Sequence, residues 1–151
     1  MNASLAGQLY QKDNEPPTHI YGVSRAEIPQ NWGFVEGLVE EACNSSGLYW
    51  PSEIYAELLA GSYQLWLAWN KDGIRACMVT TVEQSQRAKW VRGILCAGEN
   101  PADWVPHIEF IEAWAKAQGA TYSHMMGRPG FEKWLRPKGY RRTHALMEKR
   151  L

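Results

Sequence analysis

Two side chains in the last third of the chain carry groups suited to proton transfer. His124 lies in a strand-like run, and its imidazole could act as a base toward an ammonium or a thiol. Tyr140 opens a later strand-like run, where its phenol could act as a general acid. The structural alternatives are a histidine bonded to backbone and a tyrosine that only packs its ring. We take both residues as candidate catalytic groups.

The run Gly127-Arg128-Pro129-Gly130 predicts a tight turn that leads into a short helix. Arg128 could contact an anionic ligand or a partner carboxylate, and the alternative is a solvated turn arginine. Flanking glycines indicate a constrained backbone.

Metal chemistry has little support in the sequence. His107 and Glu109 are two residues apart in a helical run and therefore face different sides. The three cysteines, Cys43, Cys77 and Cys96, form no paired motif. We predict no metal site, and three free, mostly buried thiols.

Composition narrows the classes of partner. The 151 residues include 16 Lys and Arg and 16 Asp and Glu, so the balanced charge argues against nucleic acid and anionic membranes. No signal peptide or membrane-spanning run is apparent, and we expect a cytoplasmic protein. Eight tryptophans exceed what a small core needs, which predicts a protein partner or self-association through a Trp-rich surface.

Periodicity and turn residues predict the elements that position these side chains. An irregular arm, 1–17, precedes one α/β (α+β) domain, 18–151. We predict the order β-α-α-β-β-β-α-β-α-β, with an antiparallel meander over 63–97 and a strand 121–126 parallel to 89–97. A long helix, capped by Asp103, should run to about Gln118, and the last strand should span Tyr140 to Lys149.

The last third carries a family resemblance. A long helix, a short strand, the short helix Phe131-Glu132-Lys133-Trp134-Leu135 and then Lys138-Gly139-Tyr140-Arg141 resemble the end of a domain of the GNAT N-acetyltransferase family. The run 127–131 is also similar to small GNAT-like proteins encoded by bacteriophages. The resemblance implies a mixed, mostly antiparallel sheet flanked by helices.

The resemblance also implies acyl transfer from acetyl-CoA to an amine. The family holds the pyrophosphate between the fourth strand and the long helix, which corresponds here to 96–103. Backbone N–H groups around Gly98 and Asn100 would donate to the pyrophosphate, and Arg128 and Gly130 are further cofactor-binding candidates. This stretch has one glycine, no basic residue and two acids, Glu99 and Asp103, and Pro101 lacks an N–H. We therefore predict weak or no binding of acetyl-CoA.

Two functions stay open at this point. The chain is either an N-acyltransferase with a degenerate cofactor loop or a catalytically silent GNAT-like protein. The second would be phage-encoded and would act through protein contacts, in the host cytoplasm or in a virion.

Overall fold

The computed structural model of the chain describes residues 19–151 apart from the side chain of Asp103. The predicted arm 1–17 lies outside the described residues. The strands are β1 (His19–Val23), β2 (Tyr63–Asn70), β3 (Gly73–Gln84), β4 (Lys89–Gly98) and β5 (Tyr122–Met125). The helices are α1 (Ile28–Ser46), α2 (Pro51–Ala60), α3 (Pro101–Trp104), α4 (Glu109–Ala117) and α5 (Glu132–Leu135). Short 3₁₀ turns cover Arg25–Glu27, Val105–His107, Pro129–Phe131 and Arg136–Lys138.

The five strands form one sheet in the order β1-β2-β3-β4-β5. Neighbouring strands are antiparallel except β4 and β5, which run parallel. The β2–β3 hairpin closes at Asn70, whose Oδ1 accepts the Asp72 N–H at 2.8 Å, before Gly73 with a φ of 111°. The predicted meander and the parallel strand after it are both confirmed.

Helices cover both faces of the sheet, because β2 alternates between two hydrophobic cores. Leu65, Leu67 and Trp69 pack in the core beneath α1 and α2, which we call the first face. Trp66 and Ala68 pack on the second face, in the core that includes Ile108 and Ile111 beside α4. The predicted class, a mixed and mostly antiparallel sheet flanked by helices, is confirmed.

Two predicted elements differ from the structure. The long helix is divided into α3, a 3₁₀ turn and α4, because Pro106 lacks a backbone N–H and disfavours the helical conformation of its neighbour. α3 begins at Pro101, before the predicted cap at Asp103. The predicted last strand over 140–149 is wrong. Residues 141–151 form no regular element, and every one of them is exposed.

Most of the tryptophan side chains are buried or partly buried rather than exposed on the surface. Of the eight, only Trp50 is exposed, at 73%. Trp66, Trp69 and Trp104 are buried, and the other four are partly buried. The predicted Trp-rich surface therefore reduces to Trp50 and its exposed neighbour Leu48, in the connection between α1 and α2.

The three cysteines are free, as predicted. Cys43 and Cys77 are buried, and Cys96 is partly buried on β4. Within residues 19–151, no helix combines the length and the apolar character that crossing a bilayer requires.

Candidate functional site

The main opening in the sheet lies where β4 and β5 separate. Their parallel ladder runs from Trp90 opposite Tyr122 to Gly93 opposite Met125. The last backbone bond joins the Met126 N–H to the Gly93 carbonyl at 3.1 Å. β4 then continues to Gly98, while the segment that follows β5 turns away from it. In the described part of the chain, the β5-facing backbone of 94–98 therefore has no strand partner.

A β-bulge in β4 marks the same place. Against β3, Leu95 pairs with Val79 but Gly93 pairs with Thr80, which leaves Ile94 as the extra residue. A bulge bends its strand and increases the local twist, so it helps to turn the end of β4 away from β5. At the base of the opening, Met125 lies over Gly93, where an added Cβ would meet its sulfur at 2.6 Å.

The loop after β4 contains two of the predicted cofactor residues. Gly98 packs directly on β3, because an added Cβ would lie 2.3 Å from the Ala76 Cβ and 2.6 Å from the Arg75 carbonyl oxygen. Asn100 has a φ of 33°, which is the only positive φ of a non-glycine residue within 19–151. Its side chain makes no capping bond to α3. The loop is thus tightly built, and Gly98 has a packing role of its own.

Arg75 changes the electrostatics that the sequence predicted for this loop. Its guanidinium forms an ion pair with the Glu99 carboxylate, and its carbonyl accepts the Glu99 N–H at 3.0 Å. The expected repulsion of an anion by Glu99 is therefore offset by a neighbouring cation. Counting the β3–β4 register back from the turn at 85–88 would have placed Arg75 beside this loop.

The turn after β5 touches helices on both faces of the sheet. Arg128 donates through Nη2 to the Ser45 hydroxyl near the end of α1, at 2.5 Å. Phe131 lies 5.6 Å from the Trp104 ring, centroid to centroid. Trp104 in turn donates its indole N–H to the Glu99 carbonyl at 3.2 Å. The sequence did not single out Trp104, which joins the turn to the cofactor loop. Gly130 has nothing within 4 Å of an added Cβ, so the turn does not require glycine there.

His124 lies on the first face, near the point where the strands separate. It pairs in register with Arg92, one position before the last pair. Its ring is exposed and lies 5.9 Å from Trp90 and 6.3 Å from Tyr122, centroid to centroid. The structural alternative for His124 was a half-buried strand histidine that bonds to backbone, and the exposed ring does not match that burial.

Tyr140 lies on the second face, away from the opening. Its hydroxyl donates to Glu112 Oε2 at 3.0 Å and lies 2.7 Å from the Ser123 hydroxyl. Burial raises the pKa of this phenol far above its ordinary value; the Glu112 carboxylate raises it further, and the Ser123 bond opposes the rise. Ser123 is opposite Val91, two residues before the strands separate, or about 7 Å along the strand. His124 and Tyr140 are thus not brought together.

An acyl-CoA fits part of this arrangement. The unpaired backbone of 94–98 can bond to an extended chain that carries amides, as the pantetheine arm does. The loop fits the pyrophosphate less well, because Pro101 has no N–H and the Trp104 indole already has an acceptor. Among residues 19–151, no group of three or more His, Cys, Asp or Glu is placed to hold a metal ion.

Comparison with known proteins supports the fold. No protein-family model matches the sequence, and no curated protein matches it. Among solved structures, a probable acetyltransferase has a TM-score of 0.67 at 10% identity, covering 88% of this chain and 96% of that one. A putative acetyl transferase from Pyrococcus furiosus has a TM-score of 0.62 at 16% identity, covering 89% and 99%. A predicted acetyltransferase from Clostridium acetobutylicum, solved with acetyl-CoA, has a TM-score of 0.63 at 9% identity, covering 88% and 96%.

These similarities extend over nearly the whole of each chain. At such identities they establish the fold. The protein therefore has the fold of the GNAT acetyltransferases.

Proposed function

We propose that the chain binds an acyl-CoA in the opening between β4 and β5 and transfers its acyl group to an amine. The observation that carries the proposal is the unpaired stretch of β4 from Ile94 to Gly98, beside a parallel strand that stops at Met125. An extended amide-bearing chain can add there as a strand would, with its bonds to backbone. The likeness in fold to acetyltransferases, one of them solved with acetyl-CoA, supports the same ligand class.

We expect the protein to bind the pantetheine arm of this ligand more strongly than its phosphates. Backbone supplies the contacts along β4, while near the phosphates the cation of Arg75 is engaged by Glu99. Arg128 is the other candidate cation, and its guanidinium already donates a hydrogen bond to the Ser45 hydroxyl. We expect modest affinity that depends more on the pantetheine arm than on the nucleotide.

The residues available for proton transfer are also unequal. The amine nitrogen would form an amide bond to the acyl carbon while the C–S bond of the thioester breaks, so CoA would leave as its thiol and the amine would lose a proton. His124 is exposed near the opening and is our candidate to take a proton from the incoming ammonium. Tyr140 is a weaker candidate for the acid, because its proton is bonded to Glu112 about two residues below the opening. The amine would approach on the first face, where Leu48 and Trp50 are exposed.

Calorimetric titration tests the proposal with two ligands, acetyl-CoA and S-acetylpantetheine, which lacks the nucleotide. We expect both to bind, with affinities within about tenfold, or 1.4 kcal/mol. Arg128→Gln should weaken acetyl-CoA only, because S-acetylpantetheine has no phosphate. Arg87→Gln is a matched control in the exposed turn between β3 and β4. Failure of both ligands to bind would contradict the proposal.

A catalytically silent protein is the second candidate. The observation that favours it is the separation of His124 and Tyr140 on opposite faces of the sheet. Such a protein would act through contacts made by Leu48 and Trp50, and a phage origin with a place in the host cytoplasm or the virion would suit it. It predicts that no CoA thiol is released from acetyl-CoA in the presence of an amine, so an assay of free thiol separates the two candidates.

A further inference from the structure

One corner of the first face is left open by the helices that cover the rest of it. Six side chains from β3, β4 and β5 form this corner, in two rows of three that follow the strand register. The outer row is Glu83, Trp90 and Tyr122, and the row nearer the opening is Thr81, Arg92 and His124. We call these six residues the platform. All six are partly exposed or exposed. Val91, between two of them on β4, lines a cleft beside α4 on the second face, so the platform belongs to the first face.

Three aromatic rings of the platform are neighbours. The His124 ring lies 5.9 Å from the Trp90 ring and 6.3 Å from the Tyr122 ring, centroid to centroid. The planes are tilted by only 33° and 38°. Tyr122 is 60% exposed, and His124 is exposed as well. Aromatic side chains stabilise proteins by packing against other rings, so these rings have open surface for one more.

The polar groups of the platform are largely bonded to one another or to backbone. Glu83 Oε2 accepts the Trp90 indole N–H at 2.8 Å and lies 3.1 Å from Nη2 of Arg92. The Thr81 hydroxyl donates to the Ser62 carbonyl at 3.4 Å. The carboxylate and the guanidinium balance each other in charge, so their pair attracts neither an anion nor a second cation. The rings are therefore the feature of the platform that best discriminates between ligands.

The platform adjoins the opening on one side and the α1–α2 connection on the other. His124 pairs with β4 one position before the parallel ladder ends. Tyr63 of β2 continues the same row, opposite Thr81. Burial raises the pKa of the Tyr63 phenol, and an electrostatic contact with Tyr49 of the connection raises it further. Three neighbouring strands span about 10 Å and two residues along a strand about 7 Å, which is room for one ring and a short chain.

We propose that the platform selects acceptors whose amine is joined by a short chain to an aromatic ring. This inference rests on the proposed acyl transfer, because it names the acceptor of that same site. The ring of the acceptor packs on Tyr122 and Trp90, and its amine then lies near His124 and the opening. An aromatic pair is stabilised beyond the area that it buries, so an aromatic ring is preferred to a saturated ring of the same size. Tyr122 determines this specificity, because its exposed ring is available to the acceptor.

Release of free CoA thiol from acetyl-CoA, measured with a matched pair of amines, is the first test. Phenylethylamine and cyclohexylethylamine have the same chain and the same number of carbon atoms, but only the first has an aromatic ring. We expect kcat/KM to be about 3- to 10-fold higher for phenylethylamine. Glucosamine, which has a hydroxylated ring, and putrescine, which has a second ammonium group, should be poorer acceptors than phenylethylamine.

Variants at Tyr122 show whether its ring causes the preference. Tyr122→Ser should raise the KM for phenylethylamine about 5- to 10-fold and leave kcat within about twofold, because the ring binds the acceptor and transfers no proton. Tyr122→Phe keeps the ring and should keep the wild-type KM. Phe110→Ser is the matched control, since Phe110 is 52% exposed on α4 and lies beside Trp66 on the second face.

The outcomes distinguish this inference from acyl transfer itself. Equal kcat/KM for the two ring amines, or a higher value for glucosamine or putrescine, overturns the inference and leaves acyl transfer standing. A KM that is unchanged in Tyr122→Ser, or raised equally in Phe110→Ser, overturns it too. If no amine releases thiol, acyl transfer fails, and NMR titration of the chain with phenylethylamine then tests the platform alone. The ring signals of Tyr122 and His124 should shift in that titration, and unshifted signals overturn the inference.

Discussion

At the scale of single residues, the candidate site depends on pairings between side chains far apart in sequence. Glu99 would repel a phosphate, but its carboxylate forms an ion pair with Arg75, 24 positions earlier. Tyr140 could give up a proton at neutral pH only if its phenol were free, but it is bonded to Glu112 and Ser123. Neighbouring groups therefore decide what each candidate can do.

Removing the Glu99 charge should strengthen acyl-CoA binding. Glu99→Gln frees the Arg75 guanidinium for the phosphates, and we expect acetyl-CoA affinity to rise about 3- to 10-fold. The pair is exposed on the Glu99 side, so the loss of stability should stay below about 1 kcal/mol. Calorimetry measures the change, with Glu36→Gln on the exposed side of α1 as the control. Unchanged or weaker affinity would show that Arg75 does not reach the ligand.

Tyr140 should contribute to stability rather than to proton transfer. Tyr140→Phe removes two hydrogen bonds and leaves Glu112 without this donor, which should cost about 1–2 kcal/mol at pH 7 in urea denaturation. Tyr122→Phe, at a residue 60% exposed, should change stability by less than about 0.5 kcal/mol.

Tyr140 should also cause the stability of the fold to fall at alkaline pH. The pKa of Tyr140 is higher in the folded state than in the unfolded chain, where it is about 10. Its neutral form therefore stabilises the fold fully below pH 10, and this contribution is lost as the pH rises toward the folded pKa. The stability difference between wild type and Tyr140→Phe should shrink above pH 10. A difference that stays constant to pH 11 would argue against a raised pKa.

At the scale of the elements, the opening depends on irregularities in β4 and in the helix after it. The bulge at Ile94 turns the end of β4, and Pro106 divides the predicted long helix into α3 and α4. Each irregularity has a local cause, but its effect on the site appears only when the elements pack. The importance of each glycine of the site likewise depends on what packs around it in the folded structure.

Gly98 and Gly130 should respond to alanine in opposite ways. Gly98→Ala forces a Cβ into the Ala76 side chain and backbone, and we expect a loss of about 2–3 kcal/mol in chemical denaturation. Gly130→Ala meets open space and should change stability by less than about 0.5 kcal/mol. Equal costs at the two positions would contradict the packing of the loop on β3.

At the scale of the whole molecule, helices on both faces protect the middle of the sheet. Cys77 belongs to the core of the first face, and burial raises the pKa of its thiol to about 12. Burial also raises the pKa of the Cys43 and Cys96 thiols. Within residues 19–151, only β4 pairs with β5, so the outer edge of β5 has no strand partner there.

The buried thiols should be slow to react in the native protein. At pH 8 the thiolate of Cys77 is scarce and hard to reach, so labelling with a disulfide reagent should depend on unfolding. All three thiols should react at once in denaturant, and reductant should leave the melting temperature unchanged. Rapid labelling of two thiols under native conditions would contradict the core described above.

The sequence by itself determined the elements whose signals are local. The antiparallel meander over 63–97 and the strand 121–126 that runs parallel to 89–97 follow from periodicity and turn residues, and the structure has both. The tertiary structure alone decided the separation of His124 from Tyr140 and the exposure of residues 141–151. The physical reason is that a strand exists only when a partner accepts its hydrogen bonds. The segment 140–149 was predicted as a strand, but no strand among the described residues pairs with it, and it forms no regular element.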